Sequence, residues 1–288
     1  MSLESPVIGY TLGDQAGIGP EVIAKALPQA PDNAQYRLIG KTISATPGQP
    51  TTDTAKAALE HLELAAAALK EGTIDAVVTA PVCKEGLHRV GFAYPGQTEF
   101  FAARMGITDF AMCLTGRHLT VALSTTHVAI SEVPQKLSTA EMVRVGSLLG
   151  RFLQRTGVNT PRIAVAGLNP HNGEGGAFGD EETRLIVPAV EKLKSALPFA
   201  KICGPCVPDC VYRDAAEGLF DGILAPYHDQ ALIPLKLLDF DNAVNATIGL
   251  PRLRVSPDHG TAFNIAGKGI ANPASTLRAF QVAVQSIQ

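Results

Sequence analysis

The sequence predicts an α/β protein built on a mostly parallel sheet. Short apolar runs of strand length alternate with helix-period segments along most of the 288 residues, the signature of βα units. The runs at 120–126, 162–168 and 222–227 are rich in Val, Ile, Leu and Ala, as buried strands are. Each ends at or shortly before a histidine: His127, His171 and His228. In an open parallel sheet, ligands gather beyond the carboxyl ends of the strands, so three imidazoles at such ends can converge on one point.

In chain order, residues 6–12 read as a first strand and 20–27 as a helix with proline in its first turn, joined by the glycine-rich segment GDQAGIG. Residues 41–50 are polar, carry Pro and Gly, and form a surface connection. Residues 51–71 are the clearest helix, opening on Thr/Asp capping candidates and ending before Gly72. A strand at 75–80 follows. Later, 138–156 has helical spacing of Met142, Val145, Leu148, Leu149 and Leu153, and 181–197 forms another helix. Residues 258–273 hold three glycines and form a loop with close backbone approaches, after which Pro273 opens a last helix over one face of the sheet. No internal repeat, heptad pattern or low-complexity tract interrupts this order.

Hydrophobic residues make up 46% and charged residues 18%, an ordinary globular balance, and the net charge of -3 offers no electrostatic footprint for nucleic acid or an anionic membrane. No run approaches eighteen apolar residues, and MSLESPVIGY lacks the basic and apolar regions of a secretory signal, so a cytoplasmic location is expected. Cys83 and Cys113 lie in or beside strand-like runs and read as small buried hydrophobes. Cys203, Cys206 and Cys210 form C-x2-C-x3-C, incomplete for a four-ligand zinc site, and read as incidental thiols of a Pro-rich loop.

Three neutral imidazoles suit zinc, cobalt or a similar ion better than calcium, and separations of 44 and 57 residues leave room for βα units between them. The competing reading is three hydrogen-bonded structural histidines. His61, His88 and His118 read as structural or solvent-facing. Within nineteen residues, Lys236, Asn245 and Arg254 offer a point charge, an amide and a planar fork that can cage a phosphate, against the alternative of scattered surface donors. GDQAGIGPE reads equally as a phosphate-cradling helix start or a tight structural turn; its spacing is not the dinucleotide fingerprint.

GDQAGIGPE, TAPVCKEGLH, YPGQTEFFA, TTHVAI, LNPHNGEGGAFGDEE, YHDQALIPLK, VNATIGLPRLR and DHGTAFNIAGKG together resemble the 4-hydroxythreonine-4-phosphate dehydrogenase family over nearly the whole chain. HGTAFNIAGKGIANP also resembles the cofactor loop of isocitrate and isopropylmalate dehydrogenases. The resemblance implies that fold: two α/β subdomains around a central cleft, one of 1–105 plus 258–288 with the cofactor loop, the other of 106–257 with the metal ligands and dimer contacts. It implies NAD-dependent (or NADP-dependent) oxidation and decarboxylation of 4-phosphooxy-L-threonine to 3-amino-2-oxopropyl phosphate, in pyridoxal phosphate biosynthesis, assisted by a divalent metal (Zn, Co or Mg).

Residue by residue, the resemblance puts the metal on His127, His171 and His228, the substrate on Gln97, Thr98, Lys236, Asn245 and Arg254, and the nucleotide on His259, Gly260, Thr261 and Asn272. It implies a homodimer whose active site takes residues from both subunits. The base stays open between Lys236 and Asp229. Four departures stand out: Gln97 replaces the usual histidine of PGHTE, Gln15 the proline of GDPAGIGPE, Asn264 the aspartate of the cofactor loop, and residues 41–50 stand where longer chains carry more. Gln97 can mark a shifted substrate, a phosphorylated threonate or erythronate or an aromatic dihydrodiol acid. A three-histidine metal hydrolase and a ligand-binding protein without catalysis are the readings from other classes.

Overall fold

The structure is a computed structural model that describes residues 5–287. Its elements run β1 (Val7–Tyr10), α1 (Gly19–Ala26), β2 (Gln35–Leu38), α2 (Thr52–Glu71), β3 (Ala76–Val78), α3 (Lys84–Arg89) and α4 (Gln97–Met105). They continue with β4 (Ala111–Thr115), β5 (Thr120–Leu123), α5 (Val133–Lys136), α6 (Thr139–Arg155), β6 (Arg162–Ala166), α7 (Val187–Ala196), β7 (Lys201–Cys206), α8 (Pro208–Ala216), β8 (Gly222–Ala225) and α9 (His228–Asp239). The chain closes with β9 (Val244–Ile248), β10 (Arg254–Pro257) and α10 (Ala274–Gln285). Two compact units result: Met1–Thr108 with Val244–Gln288, and Asp109–Ala243.

The first unit has strand order β2-β1-β3-β10-β9, parallel except for the antiparallel pair β9–β10. Its long helix α2 begins as the sequence predicts: the Thr51 hydroxyl accepts from the Thr54 amide at 3.2 Å and the Thr54 hydroxyl from the Thr51 amide at 3.1 Å, a reciprocal cap. α10 lies on β10 and β3, where Phe280 is fully buried. The second unit has order β4-β5-β8-β6-β7, parallel except for the β4–β5 hairpin. α6 turns Met142, Val145, Leu149 and Leu153 inward against β8 and α7, the face its spacing predicts.

The expected boundary at 257/258 differs from the observed one at Ala243/Val244, and pairing explains it. Residues 244–257, expected in the second subdomain, form β9 and β10, and β10 pairs in parallel with β3, whose place in the first unit is fixed by β1. Two further strands differ from expectation. β2 (QYRL) alternates exposed and half-buried residues at a sheet edge and so carries no apolar run. β7 (KICGPC), read from sequence as part of a Pro-rich loop, is the other edge strand, a position where proline is tolerated because no partner needs its missing N–H.

The β4–β5 turn is organised by one buried carboxylate, Asp239 at the end of α9. It accepts the backbone amides of Arg117, His118 and Leu119 at 3.0, 2.9 and 3.1 Å and the His118 ring Nδ1 at 2.9 Å. Burial alone raises its pKa, but the bonds from His118, Arg117 and Leu119 outweigh that and hold it below its ordinary 3.8. A depressed folded-state pKa contributes stability that is complete above the unfolded value and is lost as pH falls through the folded one. Asp239→Ala is therefore expected to cost on the order of 3 kcal/mol at neutral pH, since three amides lose a charged acceptor, and to flatten the acid limb of the stability curve below about pH 4. Urea denaturation between pH 3 and 7 checks both.

Candidate active site

The second unit brings two of the three expected imidazoles together. β5 and β8 are parallel neighbours, with Leu123 opposite Ala225, and their pairing runs on past the strands: the Ser124 amide donates to Ala225 O at 2.9 Å, and the Thr125 amide and hydroxyl both donate to Pro226 O, at 3.1 and 2.8 Å. His127 and His228, just beyond, therefore stand side by side with ring centroids 5.6 Å apart. His228 is the first residue of α9, and its Nδ1 lies 2.7 Å from the Asp229 carboxylate. Nδ1 donates to that carboxylate, which orients the ring and leaves Nε2 to face a ligand.

His171 is not placed with them. It follows β6 in a turn where His171, Asn172, Gly173, Glu174 and Gly175 all have positive φ (51°, 54°, 76°, 42° and 66°). Anchors outside the turn hold it: Glu182 accepts the amides of Leu168 and Asn169 at 2.8 and 2.7 Å, and the Asn172 side chain donates to Pro205 O at 2.9 Å. The His171 ring is exposed. Among the described residues, no three His, Cys, Asp or Glu side chains gather to hold a metal. The donor chemistry thus fits two ligands of a divalent ion within one chain. His61, His88 and His118 have structural partners instead: Lys41 O, Phe92 O and Asp239.

The first unit gathers polar side chains suited to an anion around one arginine. Thr247 on β9 stands opposite Arg254 on β10, and Asn245 two residues earlier shares its face. The Thr98 hydroxyl meets that of Thr247 at 3.2 Å, so the first turn of α4, with Gln97 and Thr98 at its start, faces the same place. Arg254 is 3% exposed; its Nε donates to the Thr79 hydroxyl at 2.9 Å, and its guanidinium carbon lies 5.9 Å from the Phe101 ring centre. Among the described residues it forms no ion pair. Burial, opposed by the charge of Glu99, pushes the guanidinium down to about 9, still cationic at neutral pH. A buried cation without a bonded counterion is costly unless an anion completes it.

Beside Arg254's strands, the buried oxygens Gln97 Oε1 and Asn245 Oδ1 have no hydrogen-bond partner. They are acceptors available to a hydroxyl or ammonium group of a ligand. Thr247 and Thr79 escaped the sequence reading, although Thr247 could have been found from its period-2 relation to Asn245. Lys236, grouped with Asn245 and Arg254 by sequence distance, belongs to α9 in the second unit.

The loop at 258–273 packs on α1: Ala266 and Ala271 meet Ile18 and Val22, while Lys25 donates to Gly269 O and Ala271 O at 2.8 and 2.9 Å. His259 Nδ1 donates to Gly260 O at 3.1 Å, which leaves Nε2 as an acceptor, buried and without a partner. Space beside the Gly260 Cα is open. Thr261 O accepts the Ile18 amide at 2.9 Å, and Asn272 caps α10 by accepting the Ala274 amide at 3.0 Å. A lone-pair nitrogen and an open glycine suit a nucleotide's amino group and ring; Thr261 and Asn272 are in part spent on holding the loop.

GDQAGIG is a structural turn. The amides of Asp14, Ala16, Gly17 and Ile18 are spent on Pro81 O, Asp14 Oδ1, Asp14 O and Thr261 O, so they form no anion cradle. Gly13 has φ of 65° and a Cβ there would collide with Pro81 O, while one at Gly17 would lie 2.7 Å from Thr261 O. Gln15, where resemblance expects proline, receives the Ile43 amide and donates to Lys41 O, both at 3.0 Å, and so pins the short 41–50 segment.

The family model for the pyridoxal phosphate biosynthetic protein PdxA matches residues 16–283. 4-Hydroxythreonine-4-phosphate dehydrogenase of Desulfosudis oleivorans is 41% identical over 97% of this chain and 95% of its own. That alignment runs over 323 positions, more than the 288 residues here, so the relative carries segments this chain lacks. D-threonate 4-phosphate dehydrogenase of Salmonella typhimurium is 39% identical over 98% of this chain and 99% of its own. Among solved structures, 4-hydroxythreonine-4-phosphate dehydrogenase from Klebsiella pneumoniae superposes with a TM-score of 0.86 at 36% identity, covering 100% of both chains. A β-decarboxylating dehydrogenase from Thermococcus kodakarensis, 15% identical with a TM-score of 0.54 over 96% of this chain and 81% of its own, shares the fold alone. The expected α/β dehydrogenase fold is therefore the observed one, and the chain belongs to the PdxA family.

Proposed function

We propose that the protein oxidises the secondary alcohol of 4-phosphooxy-L-threonine with NAD and releases carbon dioxide, giving 3-amino-2-oxopropyl phosphate in pyridoxal phosphate biosynthesis. The observation that carries this reading is the buried Arg254 cation, set among Thr98, Thr247 and Asn245 at the start of α4, where it calls for a dianionic group such as a phosphate. Around it, Gln97 Oε1 and Asn245 Oδ1 supply acceptors for the substrate's ammonium or hydroxyl. The family membership supports the same reaction.

In this reading His127 and His228 would hold a divalent ion (Zn, Co or Mg), with Asp229 positioning His228 through its Nδ1, and such an ion would supply Lewis-acid chemistry. Asp229 and Lys236, both on α9, are the two candidates for the base, and Asp229 is already bonded to His228 Nδ1. His259 and Gly260, with Thr261 and Asn272 shaping their loop, would hold the nucleotide, which would supply the hydride acceptor. A second copy of the chain contributes the third imidazole, His171. α9 supports such a contact: Leu237 is 82% and Phe240 75% exposed, with Ile233 beside them on the helix that carries His228.

One alternative substrate is D-threonate 4-phosphate, for which a relative almost as similar as the first is named. Comparing kcat/KM for 4-phosphooxy-L-threonine, D-threonate 4-phosphate and a dihydrodiol acid tests the reading. The amino acid is expected to lead by about tenfold or more; a lead of that size for the threonate overturns the substrate assignment. Gln97 cannot titrate, so Gln97→His is expected to add a new pH dependence to KM, with phosphorylated substrate bound more tightly below about pH 6.5 where the ring is cationic. Parallel KM profiles of the two proteins from pH 5.5 to 8.5 check it.

A further inference from the structure

We propose that Cys203 and Cys206 form a reversible thiol/disulfide switch whose closure loosens the hold on the turn that carries His171. Two cysteines three residues apart point to opposite faces of a regular strand. β7 is not regular there. Cys203 pairs with Ala164 and Cys206 with Ala166, so three steps on β7 match two on β6, and the extra residue is a bulge. Ala164 and Ala166 share a face of the sheet, and their partners therefore do too. The two sulfurs lie 3.8 Å apart, with the Cys206 thiol directed at Cys203 Sγ.

The pair is divided as an exchange reaction needs. Cys203 is exposed and lies on an edge strand; Cys206 is half-buried behind it. Burial, then the neighbouring Cys203 sulfur, push the Cys206 thiol up to about 12, so it is a poor first nucleophile. Cys203 attacks a low-molecular-weight disulfide, expelling one thiolate and leaving a mixed disulfide. Cys206 then gives up its proton and displaces the second thiolate from Cys203 Sγ. Two protein thiols are oxidised by two electrons, one small disulfide is reduced to two thiols, and the two released protons end on those thiols. Cys210 takes no part, and among the described residues no three-cysteine metal cluster forms.

The lever is the backbone of the pair itself. Pro205 O accepts the Asn172 side chain at 2.9 Å, and Cys206 O accepts the Gly167 amide at 2.8 Å. These two carbonyls grip both ends of the segment that presents His171. The turn's run of positive φ values at non-glycine residues is costly without such support. Closing the sulfurs from 3.8 Å to a bond of about 2.05 Å moves the carbonyls between and beside them.

The test treats the full-length protein with oxidised glutathione, reads amide hydrogen exchange on the folded protein, then denatures it, alkylates the remaining thiols and reads intact mass and disulfide mapping. The wild type is expected to lose the mass of two hydrogens, to show a Cys203–Cys206 link with three of its five thiols still alkylated, and to revert with dithiothreitol. Cys206→Ser should stall with one glutathione on Cys203, and Cys203→Ser should gain neither link nor adduct. Exchange across residues 167–176 should rise several-fold in the oxidised wild type and stay unchanged in Cys203→Ser treated alike. No Cys203–Cys206 link, a link through Cys210, or a link without any change in exchange at 167–176 overturns the proposal.

Discussion

Arg254→Met is expected to raise KM for the phosphorylated substrate by about 10²- to 10³-fold while leaving the melting temperature unchanged or higher. The two halves of this result have one cause. Arg254 is 3% exposed and hydrogen-bonded through Nε only to a neutral hydroxyl, so in the free protein its charge is desolvated without a bonded partner. An apolar side chain of similar length removes that cost, and replacing buried charge by well-packed hydrophobic groups is commonly neutral or stabilising. With substrate bound, the same cation meets a phosphate, and losing one member of a buried, hydrogen-bonded charge pair costs about 2–5 kcal/mol of binding. A structural arginine would behave in the opposite way: the variant would melt early and keep its KM. Thermal unfolding with and without inorganic phosphate, beside steady-state kinetics, separates the two, since ligand stabilisation should vanish in the variant.

His171→Asn is expected to reduce metal occupancy and turnover together, by about 10³-fold or more in kcat, with the fold intact. Asparagine is the informative replacement because residue 171 has φ of 51°. Asparagine tolerates that left-handed conformation better than alanine, so the turn survives while the imidazole is lost. The ring is exposed and belongs to no core, which removes any packing reason for its identity. Metal analysis on the purified variant, with circular dichroism as the control for folding, checks the result. Full occupancy with normal turnover would leave His127 and His228 as the whole of the metal site. Mixing this variant with His228→Ala protomers adds a second readout: the proposed sharing of sites between two copies predicts that the mixture regains part of the activity.

What the sequence disclosed follows from burial. β5, β6 and β8 are buried on both faces, so their apolar runs could be read directly, and the helices α2 and α6 announced themselves through caps and a 3.6-residue period. β2 and β7 sit at sheet edges and carry polar, Gly or Pro residues, so local pattern could not separate them from loops. β9 and β10 were hidden differently: VNATI and RVSP owe their place to pairing with each other and with β3, a long-range fact no local window contains. That pairing also moved residues 244–257 into the first unit.

The candidate site was legible to the same degree. That His127 and His228 adjoin depends on β5 lying next to β8, and sequence order does not fix strand order. Lys236, Asn245 and Arg254 are close in sequence, but the chain passes from α9 into β9 between them; that Thr98 and Thr247 stand with the latter two no local window contains. GDQAGIG read equally as an anion cradle or a turn until its amides could be followed to Pro81, Asp14 and Thr261. Gln15, a departure from the expected proline, found its reason only in the backbone of Lys41 and Ile43.

The most direct test of the account is the stoichiometry of a single reaction. Metal-loaded protein supplied with 4-phosphooxy-L-threonine and excess NAD should form NADH and carbon dioxide in equal amounts, both abolished by a chelator and restored by a divalent ion. Consumption of the substrate with no reduction of the nicotinamide, or no turnover at all in the fully metal-loaded protein, would contradict it.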